Sequence, residues 1–286
     1  TYVEFAVPLL ADLPLVKSLN MQLAARYERF SDVGDITKPK ISLAWQVNDM
    51  VQLRAAYAEG FKAPGLPQTT AVDVSRSNTR SDPISGIRQG TLEIRNGSDD
   101  LKPETSTNTF AGIVFTPMKN LTLTADWWHI KQKDVVGILS SQTQILYDTL
   151  LRANGGSNTN VIRDENNEIL YVTNDYTNLL PREIKGVDYS IFYKMNTELG
   201  NFTFTANAAN LTQFDQGLDS VTQQVVSAQE SGNEAVLFNG ESVGIPGSAG
   251  DLLTKNGRPE WRSNIGIKWQ KDNWGAGVKY KYISEL

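Results

Sequence analysis

The chain has 286 residues, of which 40% are hydrophobic, with no cysteine, one histidine and a formal net charge of -5. An acidic chain offers no general basic face to nucleic acid, so no nucleic-acid partner is expected. Missing cysteines exclude a disulfide framework and a thiolate zinc site, and a single histidine excludes a multi-histidine metal centre. We therefore expect no metal site, and no cofactor is expected.

No run of 18 or more apolar residues occurs, which excludes a transmembrane helix. A membrane β-barrel needs only alternation of apolar and polar residues over about ten positions per strand. The chain begins at Thr1 and shows no signal peptide. We therefore expect either a processed chain or part of a longer protein.

Ten segments predict β-strands, and nine of them have one apolar and one polar face. In 51–58, for example, Val51, Leu53 and Tyr57 lie opposite Gln52 and Arg54. Segment 104–115 is less regular because threonine occupies both faces. The predicted strands, in chain order, are 2–7, 19–28, 40–47, 51–58, 104–115, 121–127, 187–194, 202–208, 261–270 and 274–281.

Alternation also occurs in soluble antiparallel sheets, so three further features are needed to favour a barrel. The polar faces are rich in Thr, Asn, Gln, Lys and Arg, aromatic residues lie near strand ends, and the strands are long for a sandwich. We predict that Val51, Leu53, Tyr57, Tyr189, Ile191, Phe204, Ile265 and Val278 lie on an exposed outer face. The predicted lumen-facing wall consists of Gln52, Arg54, Asp188, Arg262, Asn264 and Lys279, with Thr205 beside them.

Short and long connections alternate along the chain. Tight turns are predicted at 48–49, 117–120, 196–201 and 271–273, with 9–18 on the same side. Long connections are predicted at 60–103, 134–180 and 214–257, with the brief segment 31–38 on their side. In outer-membrane barrels short turns face the periplasm and long loops face outside. Within the loops, 138–153 predicts a helix and 161–172 a small hairpin, whereas 214–250, which is rich in Gln, Gly, Ser and Asn, is expected to be mobile.

Four motifs resemble those of TonB-dependent outer-membrane receptors. They are Glu59-Gly60-Phe61-Lys62-Ala63-Pro64 with its flanks, Asp100-Leu101-Lys102-Pro103-Glu104-Thr105, the strand from Leu123 to Asp134, and Gly257-Arg258-Pro259-Glu260-Trp261-Arg262. The resemblance implies an all-β, antiparallel up-and-down transmembrane β-barrel segment of about ten strands in the bacterial outer membrane. It also implies TonB-energised uptake of a bulky nutrient such as siderophore-bound iron, cobalamin or an oligosaccharide, without catalysis.

The chain departs from the family pattern in having no plug domain and no TonB-binding box. Ten strands are under half of the family's ~22-stranded barrel. We therefore expect residues 1–286 to form part of a barrel wall that is not closed. Membrane lipid, the imported substrate and, through a plug located elsewhere, TonB are the expected partners.

Ligand contacts are expected in the external loops. The candidates there are Asp73, Arg76, Asp99, Asp100, Tyr147, Arg152 and Asp175. His129 is interpreted as a surface or interface histidine, and 164–168 as a solvated turn, because Ile169 stands where a calcium loop needs glycine. A passive porin and a soluble all-β carbohydrate-binding module or glycoside-active enzyme remain alternative functions.

Overall fold

The computed structural model describes residues 1–30, 34–244, 250–255 and 258–285. Its main feature is an antiparallel sheet with ten long strands, each of 10 to 17 residues, that follow one another in space as they do in sequence. This confirms the predicted fold class. The short strand Gly250–Asp251 also pairs with the long strand Gly200–Gln216. The strands are β1 (Tyr2–Leu13), β2 (Val16–Phe30), β3 (Gly34–Gln46), β4 (Val51–Lys62), β5 (Glu104–Met118), β6 (Leu121–Lys133), β7 (Arg182–Thr197), β8 (Gly200–Gln216), β9 (Trp261–Lys271) and β10 (Trp274–Ile283).

The pairing register places the apolar residues of all ten strands on one side of the sheet, which we call the apolar face. Leu53 pairs with Trp45 on β3 and with Ile113 on β5. Farther along, Ile191 pairs with Leu123 and Ala206. Because side chains alternate with a period of two, this register puts the polar residues on the opposite side, the polar face.

The apolar face is open to its surroundings rather than packed against a second sheet. Tyr57, Tyr189, Ile191, Ile265 and Val278 are exposed, as predicted, with Val278 reaching 76%. Val51, Leu53 and Phe204 are half-buried, because neighbouring side chains on the same face cover them. In the described residues, β1 pairs only with β2 and β10 only with β9. No helix in this part of the chain is long and apolar enough to cross a membrane.

The short connections lie at the predicted places, although the one within 9–18 is much shorter than predicted, because β1 extends to Leu13 and β2 begins at Val16. They lie between β1 and β2, β3 and β4, β5 and β6, β7 and β8, and β9 and β10. Asn120 and Asp272 adopt positive φ angles in two of these turns, which Asn and Asp tolerate better than other side chains. The expected connection over 31–38 is shorter than predicted, because β3 already begins at Gly34; 31–33 lie outside the described residues.

The three long connections have their own secondary structure. The first contains α1 (Leu66–Thr70) and a hairpin of Val74–Asp82 with Ile87–Asn96. The second contains α2 (Ser141–Arg152) and strands Val161–Arg163 and Ile169–Asp175, which confirm the predicted helix and small hairpin. The third contains α3 (Ser220–Glu230) and a short pair of Leu237–Phe238 with Glu241–Ser242.

Helix α3 lies within residues 214–250, where we predict no helix from the sequence. The helix is polar in sequence, and its buried positions are only Thr222, Val225 and Ala228. Its start is fixed locally, because the Asp219 carboxylate accepts hydrogen bonds from the Val221 and Thr222 amides. Residues 245–249 lie outside the described part of the chain.

The three long connections fold together into one unit, which we call the loop cap. Strand Ile169–Asp175 of the second connection pairs in parallel with Ile87–Asn96 of the first. One apolar cluster joins Ile145, Val161, Ile169 and Val172, and a second joins Leu146, Val225, Ala228 and Val236. Helix α2 supplies fully buried residues to both clusters, so it is the centre of the cap.

Candidate functional site

A row of six residues crosses the polar face from β4 to β9, one residue from each strand. The register aligns Arg54, Gly112, Asp126, Asp188, Ala209 and Arg262. The charges along this row are positive at both ends and negative in the middle, with a small neutral residue between each arginine and its neighbouring aspartate. The structure thus brings together three residues of the predicted lumen wall, namely Arg54, Asp188 and Arg262.

Arg54 forms a two-point ion pair with Asp126 on the second strand along. Its Nε atom donates to Asp126 Oδ1 at 3.1 Å, and its Nη2 atom donates to Oδ2 at 2.5 Å. Bidentate arginine–carboxylate pairs fix geometry as well as charge. The pair passes over Gly112 on β5, and a Cβ atom at that position would collide with the Asp126 carboxylate. Gly112 therefore provides the space that the pair needs.

A second, uncharged row lies beside the first, one step toward the short turns. It includes Gln52, Thr124, Ser190, Asn207 and Asn264. The Thr124 and Ser190 hydroxyls share a hydrogen bond of 2.6 Å, and Asn207 donates to Asn264 at 3.5 Å. Both rows border a depression of about 600 Å³. Lys279 lies on the same face, in register with Gly266 and beyond this depression.

Other charged groups on the polar face are also paired. Arg26 forms an ion pair with Glu28 of its own strand. Groups of three or more His, Cys, Asp or Glu side chains that could hold a metal ion do not occur in the described residues. The arrangement on this face is therefore a surface of fixed charges and hydrogen-bonding groups.

In the loop cap, Arg163 links the first and second long connections. It donates to Asp82 through Nη1 at 2.8 Å and Nη2 at 2.9 Å, and to Asp148 of α2 through Nε at 2.8 Å. All three side chains are at most 2% exposed. A buried ion pair of this kind is costly to break from one side, because the remaining charge is left unpaired.

The neighbouring polar contacts join the same two connections. Gln142 accepts a hydrogen bond from the Ser81 amide and donates to the Ser81 carbonyl. Glu93 accepts hydrogen bonds from Arg95 at 2.7 Å and from Asn174 at 3.3 Å. The first two connections are thus held together by side-chain hydrogen bonds as well as by strand pairing.

The acids of this network are held in their charged forms. Burial alone would favour the neutral acid of Asp82, but Arg163, Ser85 and the Ile84 amide donate to the carboxylate and hold its pKa below the ordinary value. Burial likewise opposes ionisation of Glu93, and Arg95 and Asn174 reverse the effect and lower its pKa. The network is therefore assembled with both acids ionised.

Two of the predicted loop candidates lie close together. Asp73 donates its backbone amide to the Asn96 side chain, and Asp175 is in register with Asn96 in the parallel pairing. Both are exposed, as is Arg76 on the nearby hairpin. Asp99 and Asp100 lie in an exposed turn after the hairpin, apart from this pair.

The remaining loop candidates make contacts within the cap. Arg152 Nε donates to the buried Asp148 carboxylate at 2.9 Å. Tyr147 is half-buried and packs against the second apolar cluster. The structure does not gather the seven candidates into one pocket. The predicted solvated turn at 164–168 is present, with the Asp164 carboxylate accepting from the Asn166 and Glu168 amides.

The match to a known family covers almost the whole chain. The family model described as "TonB dependent receptor-like, beta-barrel" matches residues 2–286. The chain belongs to the TonB-dependent receptor family. Members of this family are β-barrel proteins of the bacterial outer membrane.

A curated relative and two solved structures show how much of such a protein the chain represents. It is 28% identical over 160 residues to a probable TonB-dependent siderophore receptor, PirA, from Acinetobacter baumannii, covering 54% of this chain and 21% of the relative. The crystal structure of the siderophore receptor PirA from A. baumannii aligns with a TM-score of 0.57 at 17% identity, covering 99% of this chain and 34% of that one. A mutant of the ferric enterobactin receptor PfeA from Pseudomonas aeruginosa aligns with a TM-score of 0.59 at 15% identity, covering 93% of this chain and 30% of that one.

Several residues of these surfaces were not among the predicted site residues. Asp126 occupies the polar face between Thr124 and Trp128, so the alternation that selected Asp188 could also have selected it. Gly112, Asp82 and Arg163 carry no such signal. Their roles depend on which strands and loops meet, and Asp82, the partner of Arg163 in the first connection, is 81 residues away in sequence.

Proposed function

We propose that this chain supplies part of the barrel wall and three external loops of an outer-membrane receptor that takes up ferric siderophores with energy delivered through TonB. The names of the curated relative and of the aligned structures refer to siderophores or ferric enterobactin, which supports iron–siderophore complexes over the other substrates expected from sequence. Cobalamin and oligosaccharides have no such support. A chain spanning about a fifth of the curated relative would act within a larger receptor, with the plug supplied by another part of it.

The observation that carries this proposal is the folded loop cap beside the polar face. A bulky ligand is recognised best by a surface that is already organised, because fewer groups must be ordered on binding. Here three connections share two apolar clusters and a buried ion-pair network at one end of the wall. In the proposed receptor the cap captures the ligand from outside, and the charged and uncharged rows hold the plug and line the route inward.

The two other functions considered from sequence receive less support. A passive porin does not belong to this family, whose members are named for their dependence on TonB. A soluble all-β module would bury its apolar residues between two sheets, whereas Ile191 and Ile265 are about half exposed on a single sheet.

Uptake of radiolabelled iron by cells that express the receptor tests the proposal. Ferric catecholate, ferric hydroxamate and labelled cyanocobalamin are supplied to matched strains with and without TonB. We expect uptake of at least one ferric siderophore, no uptake of cobalamin, and loss of iron uptake without TonB. Uptake that persists without TonB would instead support a porin, and uptake of cobalamin alone would refute the siderophore assignment.

A further inference from the structure

The described residues contain three Asn-Gly pairs, and all three lie in the long connections. They are Asn96-Gly97, Asn154-Gly155 and Asn239-Gly240. Glycine has no side chain to shield its backbone, so its amide nitrogen can approach the side chain of the preceding asparagine. Attack of that nitrogen on the side-chain carbonyl carbon is the first step of asparagine deamidation. The local structure therefore decides which of the three pairs is able to react.

The Asn96-Gly97 pair is held in place on both sides of its peptide bond. The Asn96 side-chain oxygen accepts a hydrogen bond from the Asp73 amide at 2.9 Å, and the Gly97 amide donates to the Ala71 carbonyl at 2.7 Å. A Cβ atom at Gly97 would collide with the backbone of Thr69, so this peptide is also tightly packed. The nitrogen that would have to attack is engaged in a hydrogen bond and is not free to move.

The Asn154-Gly155 pair is held by the last turn of α2. The Asn154 side-chain amide donates to the Leu150 carbonyl at 3.0 Å, and the Gly155 backbone amide donates to the Arg152 carbonyl at 3.0 Å. Both groups that take part in deamidation are thus engaged, although the pair itself is exposed. Reaction here requires the end of the helix to open first.

The Asn239-Gly240 pair differs from the other two. Both residues are exposed and form the two-residue turn between Phe238 and Glu241, with φ angles of 52° and 82°. Within the part of the chain that the structure describes, neither the Asn239 side chain nor the Gly240 amide makes a hydrogen bond. The hairpin has only two register pairs, and so short a pairing opens at little cost.

We propose that Asn239 is a site of spontaneous deamidation in the folded receptor. The Gly240 nitrogen forms a bond to Asn239 Cγ, the side-chain nitrogen leaves as ammonia, and a five-membered succinimide results. Water then opens the ring at one of its two carbonyl carbons and leaves either aspartate or isoaspartate. No oxidant or reductant takes part, and a neutral side chain becomes a carboxylate. The proposal does not depend on which substrate the receptor takes up.

The modification changes the cap where its first and third connections meet. Phe238 and Glu241 flank the turn and border a cleft of about 440 Å³, which Arg80 and Arg88 of the first connection also line. Isoaspartate adds a carbon atom to the backbone and so disturbs the register of this short pairing. The new carboxylate also lies close to that of Glu241, and like charges repel. We therefore expect the third connection to loosen after modification.

Peptide mapping by mass spectrometry tests the proposal. The full receptor is aged in detergent, in mildly alkaline buffer at physiological temperature, and the conversion of amide to acid is followed at each pair. Asn96 and Asn154 are internal controls, because both are also followed by glycine. A second sample is aged in denaturant, where the three pairs lose their local structure.

In the folded receptor we expect Asn239 to deamidate at least about tenfold faster than Asn96 and Asn154, since two hydrogen bonds must open at each of those pairs. In denaturant the three rates should converge. Equal rates in the folded receptor would overturn the proposal, as would an Asn239 that reacts only in denaturant. An equally large difference in denaturant would also overturn it, because the selectivity would then come from the sequence and not from the fold.

Hydrogen exchange of the aged receptor tests the effect on the cap. We expect faster exchange in 237–242 after ageing than before it. The control is Asn239→Gly, which suits the positive φ angle of this turn but has no side-chain amide to lose. Its exchange should stay unchanged on ageing. Unchanged exchange in a modified wild type, or an equal change in the control, would refute the proposed loosening.

Discussion

Arg54 and Asp126 form a bidentate ion pair across a strand that contributes no side chain at the crossing. They lie on β4 and β6, 72 residues apart in sequence, and β5 passes between them with Gly112 at the shared level. Asp188 on β7 is the next residue in the row. A carboxylate that is already paired thus stands beside a second one in the row that crosses the polar face.

Substitution of Gly112 by alanine is expected to displace this ion pair. The added methyl group would occupy the position of the Asp126 carboxylate, so Arg54 or Asp126 must move. Because Arg54 is partly exposed, we expect loss of the ion pair to lower the free energy of unfolding by about 1 kcal/mol or less. Strain from the added methyl group should lower it further. Thermal unfolding of the receptor in detergent measures the loss.

Gly275→Ala is the matched control for this substitution. Gly275 is also a strand glycine, but the nearest atom to its added methyl group would be 3.5 Å away, an ordinary contact. We expect the control to unfold at the wild-type temperature. Equal melting temperatures for the two alanine variants would show that the space at Gly112 is not required.

Replacement of Arg163 by methionine is expected to open the loop cap while the wall stays intact. The change leaves the Asp82 and Asp148 carboxylates buried without the Arg163 guanidinium. Removing one partner of a buried ion pair lowers the free energy of unfolding by about 3–5 kcal/mol. Hydrogen exchange should accelerate in 74–96 and 141–163 and remain slow in the wall strands. The control is Arg88→Met, because Arg88 is an exposed residue of the 74–96 hairpin, and this change should leave hydrogen exchange unchanged.

The loop cap is expected to lose stability in acid. The pKa values of Asp82 and Glu93 are lowered in the folded state, so the unfolded state binds more protons below their ordinary values of 3.8 and 4.5. The contribution of these two acids to the stability of the cap is therefore fully present above about pH 5. It is lost as the pH falls through their lowered, folded-state pKa values. Limited proteolysis of the cap between pH 7 and pH 3 measures this. Greater protection in acid than at neutral pH would contradict the assignment.

The sequence predicts the wall better than the cap, for a physical reason. A strand between lipid and lumen must alternate, so residues such as Leu53 and Arg54 reveal their faces without knowledge of any neighbour. The row through Arg54, Gly112 and Asp126 needs the register across a long connection, which one sequence does not provide. In the cap, Arg163 and Asp82 become partners only after two connections meet.

Helix α2 offers the sharpest test of whether the cap is one cooperative unit. Ile145 and Leu146 are adjacent and both fully buried, yet they belong to different apolar clusters. Replacing either residue by alanine is expected to lower the free energy of unfolding of the cap by about 2–5 kcal/mol. If the clusters are coupled through α2, each variant should accelerate hydrogen exchange in both the 161–172 hairpin and α3, because opening either side exposes the other. If Ile145→Ala affects only the hairpin and Leu146→Ala only α3, the external loops open independently and the cap does not act as a single body.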